Sequence, residues 1–186
     1  YFIVTFGLFA IYCSINIGMS WDEFLQHLNG SLRAEYLKTF GKFTEYNFLD
    51  NRFYPGLYDT IHYTILKLFL EFFPGSILEI KHLINLSFGF LTLLGLFLLA
   101  KNIFNKEVAY IAVLFCLLNP FFFGHMSMNP KDTIISFALV WFAYSSYMYC
   151  VNIQNKRLNF VLLASLFLGL GLGVRVAFFV IASPII

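Results

Sequence analysis

The sequence predicts an all-α protein, a polytopic transmembrane helical bundle with amphipathic helices at the membrane surface. Of its 186 residues, 60% are hydrophobic and 12% are charged, whereas soluble domains carry about 25% charged residues. The apolar residues fall into long runs, and a helix needs about 20 of them to cross a bilayer. We interpret residues 1–186 as one membrane-embedded module. Because the chain starts at Tyr1 and ends inside an apolar run, we expect it to be truncated and inactive alone.

Five apolar runs predict the membrane spans. They cover approximately residues 1–20, 83–100, 108–124, 133–151 and 159–183. Asn119-Pro120, near the end of the third span, indicates a kink or an exit from the membrane. Residues 125–132 are predicted to form a loop. Asp132 is expected to open the fourth span, where an acid suits the positive end of the helix dipole.

Residues 21–82 are predicted to form the first extracytoplasmic loop, with interfacial helices. Residues 23–42 show apolar positions at helical spacing, which favours an amphipathic helix. Residues 57–73 are long enough to resemble a span, but they include four ionisable residues: Asp59, His62, Lys67 and Glu71. A central Asp or Lys costs about 2.5 to 3.5 kcal/mol on insertion, so we expect this helix to lie at the interface.

The loop charges predict which segments share a side of the membrane. Residues 101–106 and 152–157 are short and basic, which places both in the cytoplasm. Asp132 is one crossing away and is therefore outside. If residues 57–73 do not cross, Asp22 is outside as well. The two acids are then expected to face one extracytoplasmic site.

The pair Asp22 and Asp132 is the strongest indication of chemistry. Two carboxylates on one face can hold a divalent metal cation, with His125 as a further ligand. Alternatively, one accepts a proton while the other positions the acceptor. The structural alternative is that each acid only caps a helix.

Arg175 is the third informative residue, because an arginine in an apolar segment needs an anionic partner. A guanidinium matches a phosphate well. The structural alternative is that Arg175 pairs with an acid on a neighbouring helix or reaches to the interface. The glycines at 169, 171 and 173 are expected to allow close helix approach.

Composition also limits the function. A net charge of +2 with no basic run argues against a nucleic-acid partner. A fragment of a polytopic transporter, with the acids and Arg175 as a substrate or proton site, is the alternative to an enzyme. Against a transporter, the acids lie at the ends of spans, and the sequence shows no internal repeat.

Four features in order resemble one known family. An Asp-Glu pair, Asp22-Glu23, follows the first span, and a Tyr-Pro-x-Leu-Tyr turn at 54–58 leads into a juxtamembrane helix. Asp132 then opens a helix, and a glycine-rich helix carries Arg175. The pattern resembles the C-superfamily (GT-C) glycosyltransferases that use polyprenyl-phosphate sugars, in the branch of protein O-mannosyltransferases and aminoarabinose transferases. The chain would be the N-terminal part of such a module.

The resemblance implies a function and roles for named residues. It implies transfer of a sugar from a polyprenyl-phosphate donor to a lipid, glycan or protein acceptor, with inversion, at the extracytoplasmic face of the bacterial inner (plasma) membrane. Asp22 matches the catalytic base and Asp132 the second-loop acid. Arg175 stands where the family usually has a lysine that contacts the donor phosphate. We also expect Lys131, Arg52 and Glu23 to belong to the substrate- and phosphate-binding region.

Overall fold

The protein is a bundle of α-helices. A computed structural model describes residues 2–43, 54–151 and 157–185, and these residues form no β-strand. In chain order the helices are α1 (Phe2–Asn16), α2 (Glu23–Lys38), α3 (Leu57–Leu70), α4 (Ile77–Ile103), α5 (Lys106–Leu118), α6 (Pro120–Met128), α7 (Pro130–Val151), α8 (Arg157–Leu172) and α9 (Phe178–Ala182), with a 3-10 turn at Ser183–Ile185. The all-α prediction is confirmed.

Helix α4 is the centre of the bundle. It contacts α1, α3, α5, α6 and α7, and α7 packs in turn against α8. The largest apolar core is built mainly of phenylalanine rings from α7, α8 and α9; its buried members include Phe137, Phe142, Phe167 and Phe178. Elsewhere on α4, Trp141 of α7 donates its indole N–H to the carbonyl of Leu91 at 2.9 Å.

Two of the described helices are long and apolar enough to cross a membrane. These are α4, with 27 residues, and α7, with 22, and they contain the predicted spans 83–100 and 133–151. Helices α1 and α8 have 15 and 16 residues, so each is about 22 to 24 Å long at 1.5 Å per residue. That is shorter than the hydrocarbon core of about 30 Å. The chain is an integral membrane protein.

The third predicted span is broken in the structure. Helices α5 and α6 meet at Asn119 with a bend of 73°, and the Asn119 side chain accepts hydrogen bonds from the first N–H groups of α6. The loop predicted at 125–132 is wrong, because α6 runs to Met128 and α7 begins at Pro130. Both helices start with Asn-Pro, which pairs a capping side chain with a proline preset for the first helical position.

The last predicted span is also interrupted. Helix α8 ends at Leu172, and a turn over residues 173–177 separates it from α9. Arg175 therefore lies in a turn and not in the middle of a helix. Gly171 allows α9 to pack closely against the end of α8, because a β-carbon at this position would collide with the Phe178 ring. The carbonyl of Gly173 accepts a hydrogen bond from the Leu57 N–H at 3.1 Å, which ties the turn to the start of α3.

Helices α2 and α3 pack against each other as a pair. They cover most of the sequence segments 23–42 and 57–73, where helices were predicted, and their position at the membrane interface stays a prediction. Their crossing point is Gly30, where a β-carbon would collide with the carbonyl oxygen of Asp59. The backbones therefore approach more closely there than any other side chain would allow.

A buried polar cluster attaches the start of α2 to α4 and α1. Nε2 of His82 lies 3.0 Å from Oε1 of Glu23, and Nδ1 lies 3.0 Å from the carbonyl of Ser14. Lys81 donates to the Glu23 carbonyl at 3.2 Å. Burial opposes ionisation of Glu23, but the hydrogen bond and charge of His82, together with Lys81, lower its pKa below the ordinary value.

A second set of buried polar contacts fixes α3 on α4. The Tyr58 hydroxyl donates to Oδ1 of Asn85 at 2.6 Å, and Nδ2 of Asn85 donates to the carbonyl of Ser127 at 3.0 Å. Nε2 of His62 lies 3.2 Å from the carbonyl of Lys81. Burial lowers the pKa of His62 to about 4. One face of α4 thus holds both α3 and the end of α6.

Removal of the buried Glu23 carboxylate is expected to destabilise the protein. Glu23→Ala leaves Lys81 and His82 buried beside an unfilled space, and breaking a buried ion pair costs about 3 to 5 kcal/mol. Glu35→Ala is the matched control, since Glu35 is exposed on the same helix and surface changes stay within about 0.5 kcal/mol. The measurement is the free energy of unfolding in detergent micelles. Equal values for the two variants would contradict the anchoring role.

Candidate active site

Asp22 lies at the junction of α1 and α2, next to the start of α7. It occupies the N-cap position of α2, but its side chain makes no capping hydrogen bond, and it is exposed. Ser20 donates a hydrogen bond to the carbonyl of Met128 at 3.4 Å, which joins this junction to the end of α6. The simple capping interpretation therefore does not account for the Asp22 carboxylate.

A cavity of about 180 Å³ opens beside Asp22. Its lining comes from the α1–α2 junction and from the α6–α7 junction, and consists of Ser20, Trp21, Asp22, Gln26, His125, Met128, Asn129 and Pro130. A smaller cavity of about 60 Å³ lies on another side of Asp22 and is lined by Asp22, Leu25, Gln26, Asn29, Asp59 and Lys131. Asn129 and Lys131, two close sequence neighbours of Asp132, thus each share a cavity with Asp22.

Asp132 is held in the first turn of α7 by Asn129. Oδ1 of Asn129 accepts from the Asp132 N–H at 3.1 Å, and Nδ2 donates to Oδ2 of Asp132 at 2.8 Å. The residue that caps α7 is therefore Asn129, and the prediction that Asp132 opens the helix as its cap is wrong by one turn. Asp132 still lies where the N-terminal end of the helix dipole favours a carboxylate.

Arg175 reaches Asp132 from the turn after α8. Its Nη2 lies 3.2 Å from Oδ1 of Asp132, while Nδ1 of His125 lies 3.7 Å from Oδ2. The exposed fractions of the three side chains are 48%, 40% and 39% for Arg175, Asp132 and His125. Such open pairs add at most about 1 kcal/mol to stability. The cluster is accessible to a ligand. The pairing with Asp132 corresponds to the structural alternative of an acid on a neighbouring helix, and a contact between Arg175 and the donor phosphate stays a prediction.

The three-ligand metal site expected from Asp22, Asp132 and His125 is not assembled. Within residues 2–43, 54–151 and 157–185, no three His, Cys, Asp or Glu side chains lie close enough to hold one ion. The Asp132 carboxylate is instead engaged by Arg175, Asn129 and His125. These residues do not fit a resident divalent cation in this arrangement, and metal dependence stays a prediction.

Of the other predicted site residues, Lys131, Glu23 and Arg52, only Lys131 is found at a cavity beside Asp22 in the part of the chain that the structure describes. Lys131 borders the 60 Å³ cavity, and its Nζ lies 5.8 Å from the centre of the Tyr54 ring. Glu23 is only 1% exposed and belongs to the buried cluster with Lys81 and His82, so it lines neither cavity. Arg52 lies outside the described residues.

Three polar residues at the site were not predicted from the sequence: Gln26, Asn29 and Asp59. Asp59 is 4% exposed and accepts a hydrogen bond from Nδ2 of Asn29 at 2.6 Å. Burial raises the pKa of Asp59, although the hydrogen bond and the charge of Lys131 oppose the rise. In the sequence Asp59 is one of the charges from which an interfacial α3 is predicted, and no spacing pattern distinguishes it as a site residue.

Residues 61–186 match the family described as dolichyl-phosphate-mannose-protein mannosyltransferase. The chain belongs to this family. It is therefore a membrane glycosyltransferase of the C superfamily, and the family uses a polyprenyl-phosphate sugar donor. Comparison with curated proteins and with solved structures finds no match.

The family match includes part of the site. Asp132, His125 and Arg175 lie within the matched residues, whereas Asp22 and α2 precede them. The placement of Asp22 beside the cluster therefore comes from the structure and not from the match. The same match favours the glycosyltransferase over the transporter interpretation.

Loss of the Asn129 side chain is expected to affect activity more than stability. Asn129→Ala removes a helix cap, which costs about 1 kcal/mol, and also releases the Asp132 carboxylate. Asn105→Ala is the matched control, because Asn105 caps α5 by accepting from the Val108 N–H at 2.8 Å. We expect similar losses of stability, with sugar transfer reduced at least tenfold only in Asn129→Ala. Equal rates of sugar transfer in Asn129→Ala and Asn105→Ala would show that Asn129 has no role in the reaction.

Proposed function

We propose that this chain moves a sugar from a polyprenyl-phosphate-linked donor to an acceptor on the extracytoplasmic face. The observation that supports it most is the position of Asp22, an exposed carboxylate whose two cavities also border Asn129 and Lys131. A reactive carboxylate, a cation for the leaving group and space for a substrate are thereby adjacent.

Asp22 is proposed as the general base. Its carboxylate makes no capping hydrogen bond and stays open to an incoming hydroxyl. In the reaction the acceptor oxygen bonds to the anomeric carbon while the bond from that carbon to the phosphate oxygen breaks. The hydroxyl proton passes to Asp22 and the electron pair leaves with the phosphate. A single displacement of this kind inverts the anomeric configuration.

Arg175 and Lys131 are proposed to stabilise the leaving phosphate. A guanidinium offers two parallel N–H donors to phosphate oxygens, and fixed cations at developing negative charge lower the barrier. Asp132 acts here as a positioning residue, because it holds Nη2 of Arg175 at 3.2 Å. Glu23 is assigned to the anchoring of α2 and not to substrate binding.

The acceptor is proposed to be a lipid, glycan or protein that reaches the outer surface of the bacterial plasma membrane. Basic residues at the helix ends away from Asp22 and Asp132 support an extracytoplasmic site. Lys101 lies in the last turn of α4, Lys106 opens α5 and Arg157 opens α8. Lysine and arginine in short loops favour the cytoplasm, which leaves Asp22 and Asp132 outside.

Replacement of Asp22 is expected to abolish transfer without affecting folding. Asp22→Asn keeps the shape of the side chain but removes the base, and general-base catalysis contributes about 10²- to 10⁴-fold. Glu35→Gln, an exposed site on α2, is the matched control. The measurement is turnover of dolichyl-phosphate mannose by the complete protein in proteoliposomes. Near-normal turnover in Asp22→Asn would refute the assigned role.

Labelling of single cysteines is expected to place the site outside. The three natural cysteines, Cys13, Cys116 and Cys150, are first replaced by alanine. Trp21→Cys and Val176→Cys are then expected to react with a membrane-impermeant maleimide on intact spheroplasts, and Lys106→Cys only after lysis. All three positions are exposed. Labelling of positions 21 and 176 from opposite sides would refute the common site.

A further inference from the structure

The 180 Å³ cavity contains a buried amide with an unfilled hydrogen-bonding position. Gln26 is 8% exposed, and its Oε1 accepts no hydrogen bond from the part of the chain that the structure describes. Gln26 lines both cavities beside Asp22. A buried carbonyl without a hydrogen bond is energetically unfavourable, so a ligand group that donates to this amide is favoured there.

An exposed aromatic ring borders the same cavity. Trp21 is 93% exposed, whereas the other tryptophan of the chain, Trp141, is half-buried and hydrogen-bonded to Leu91. A bare indole beside a polar cavity presents a flat apolar surface next to hydrogen-bonding groups. This combination suits a ligand with one apolar face and polar edges.

The charges of the lining define the class of ligand. Among the described residues, no lysine or arginine lines the 180 Å³ cavity, and the polar side chains that line it are those of Asp22, Gln26, His125, Asn129 and Ser20. An anion is disfavoured beside Asp22, whereas Arg175 and Lys131 lie outside this lining. An uncharged molecule rich in hydroxyl groups fits, because a hydroxyl both donates and accepts.

We propose that the 180 Å³ cavity binds an uncharged sugar ring, with Trp21 against its apolar face and Gln26 hydrogen-bonded to one of its hydroxyls. This inference rests on the proposed function and deepens it. The phosphate and the sugar are bound by different parts of the site: the cations hold the phosphate, and the cavity selects the ring. Gln26 and Trp21 are then specificity-determining residues.

Intrinsic fluorescence provides the test. The chain has two tryptophans, so Trp141→Phe leaves Trp21 as the fluorescent reporter. Any tryptophan outside residues 1–186 is replaced as well. The protein in detergent is titrated with methyl α-D-mannopyranoside, dolichyl phosphate and dolichyl-phosphate mannose. We expect a saturable change in Trp21 emission with the two mannose compounds and none with dolichyl phosphate. A response to the free mannoside only when dolichyl-phosphate mannose is already bound assigns the ring to the acceptor.

Variants separate this site from the catalytic proposal. Gln26→Leu is expected to weaken mannose binding at least tenfold. Trp21→Ala is expected to raise the KM for dolichyl-phosphate mannose at least tenfold, whereas Phe72→Ala, at another exposed aromatic position, leaves it unchanged. Asp22→Asn is expected to bind the sugar without turning it over. Full activity in Asp22→Asn with unchanged binding would refute the base and leave the sugar site standing.

Two results would overturn the sugar site. The first is the absence of any response to the mannose compounds together with an unchanged KM in Trp21→Ala. The second is strong quenching of Trp21 by brominated lipids in proteoliposomes that mannose does not relieve, since Trp21 would then be an interfacial membrane anchor. If Gln26→Leu does not fold, the Trp21→Ala and Phe72→Ala comparison decides alone, because both side chains are exposed.

Discussion

The buried contact between Glu23 and His82 is the interaction on which the site depends. Both side chains are 1% exposed, and their 3.0 Å contact joins the first turn of α2 to α4. The other ring nitrogen of His82 contacts the end of α1. The chain on both sides of Asp22 is therefore held by one imidazole. The two adjacent acids differ in environment. Glu23 is buried and fixes the backbone, whereas Asp22 is exposed beside the cavities.

Helix α4 carries this arrangement further. Lys81, His82 and Asn85 lie within little more than one turn, so they project from one end of the same helix. They contact α2, the end of α1, α3 and the last turn of α6. The helices that form the two cavities are thus all attached to α4. Because each contact is polar and buried, its loss leaves an unsatisfied group, which favours a single arrangement.

The long apolar runs and the charge pattern were sufficient for the fold class and for the approximate positions of α4 and α7. They also brought out Asp22, Asp132 and Arg175, because an ionisable residue at the edge of an apolar run is conspicuous. The breaks at Asn119, Asn129 and residues 173–177 were underestimated, since hydropathy averages over a window and does not register a single capping side chain. Gln26 and Asp59 were missed because their burial follows from contacts between helices that are separate in the sequence, such as the contact of Gly30 in α2 with Asp59 in α3.

The contact between Arg175 and Asp132 joins Nη2 to Oδ1 at 3.2 Å, and a guanidinium carries five N–H donors. In the proposed function the phosphate therefore shares the cation with Asp132 and does not have to displace it. The carboxylate offsets part of the positive charge, so a free anion gains less from this arginine than from an unpaired one. Under the proposed function, a lipid-linked donor then relies more on the contacts made by its other parts.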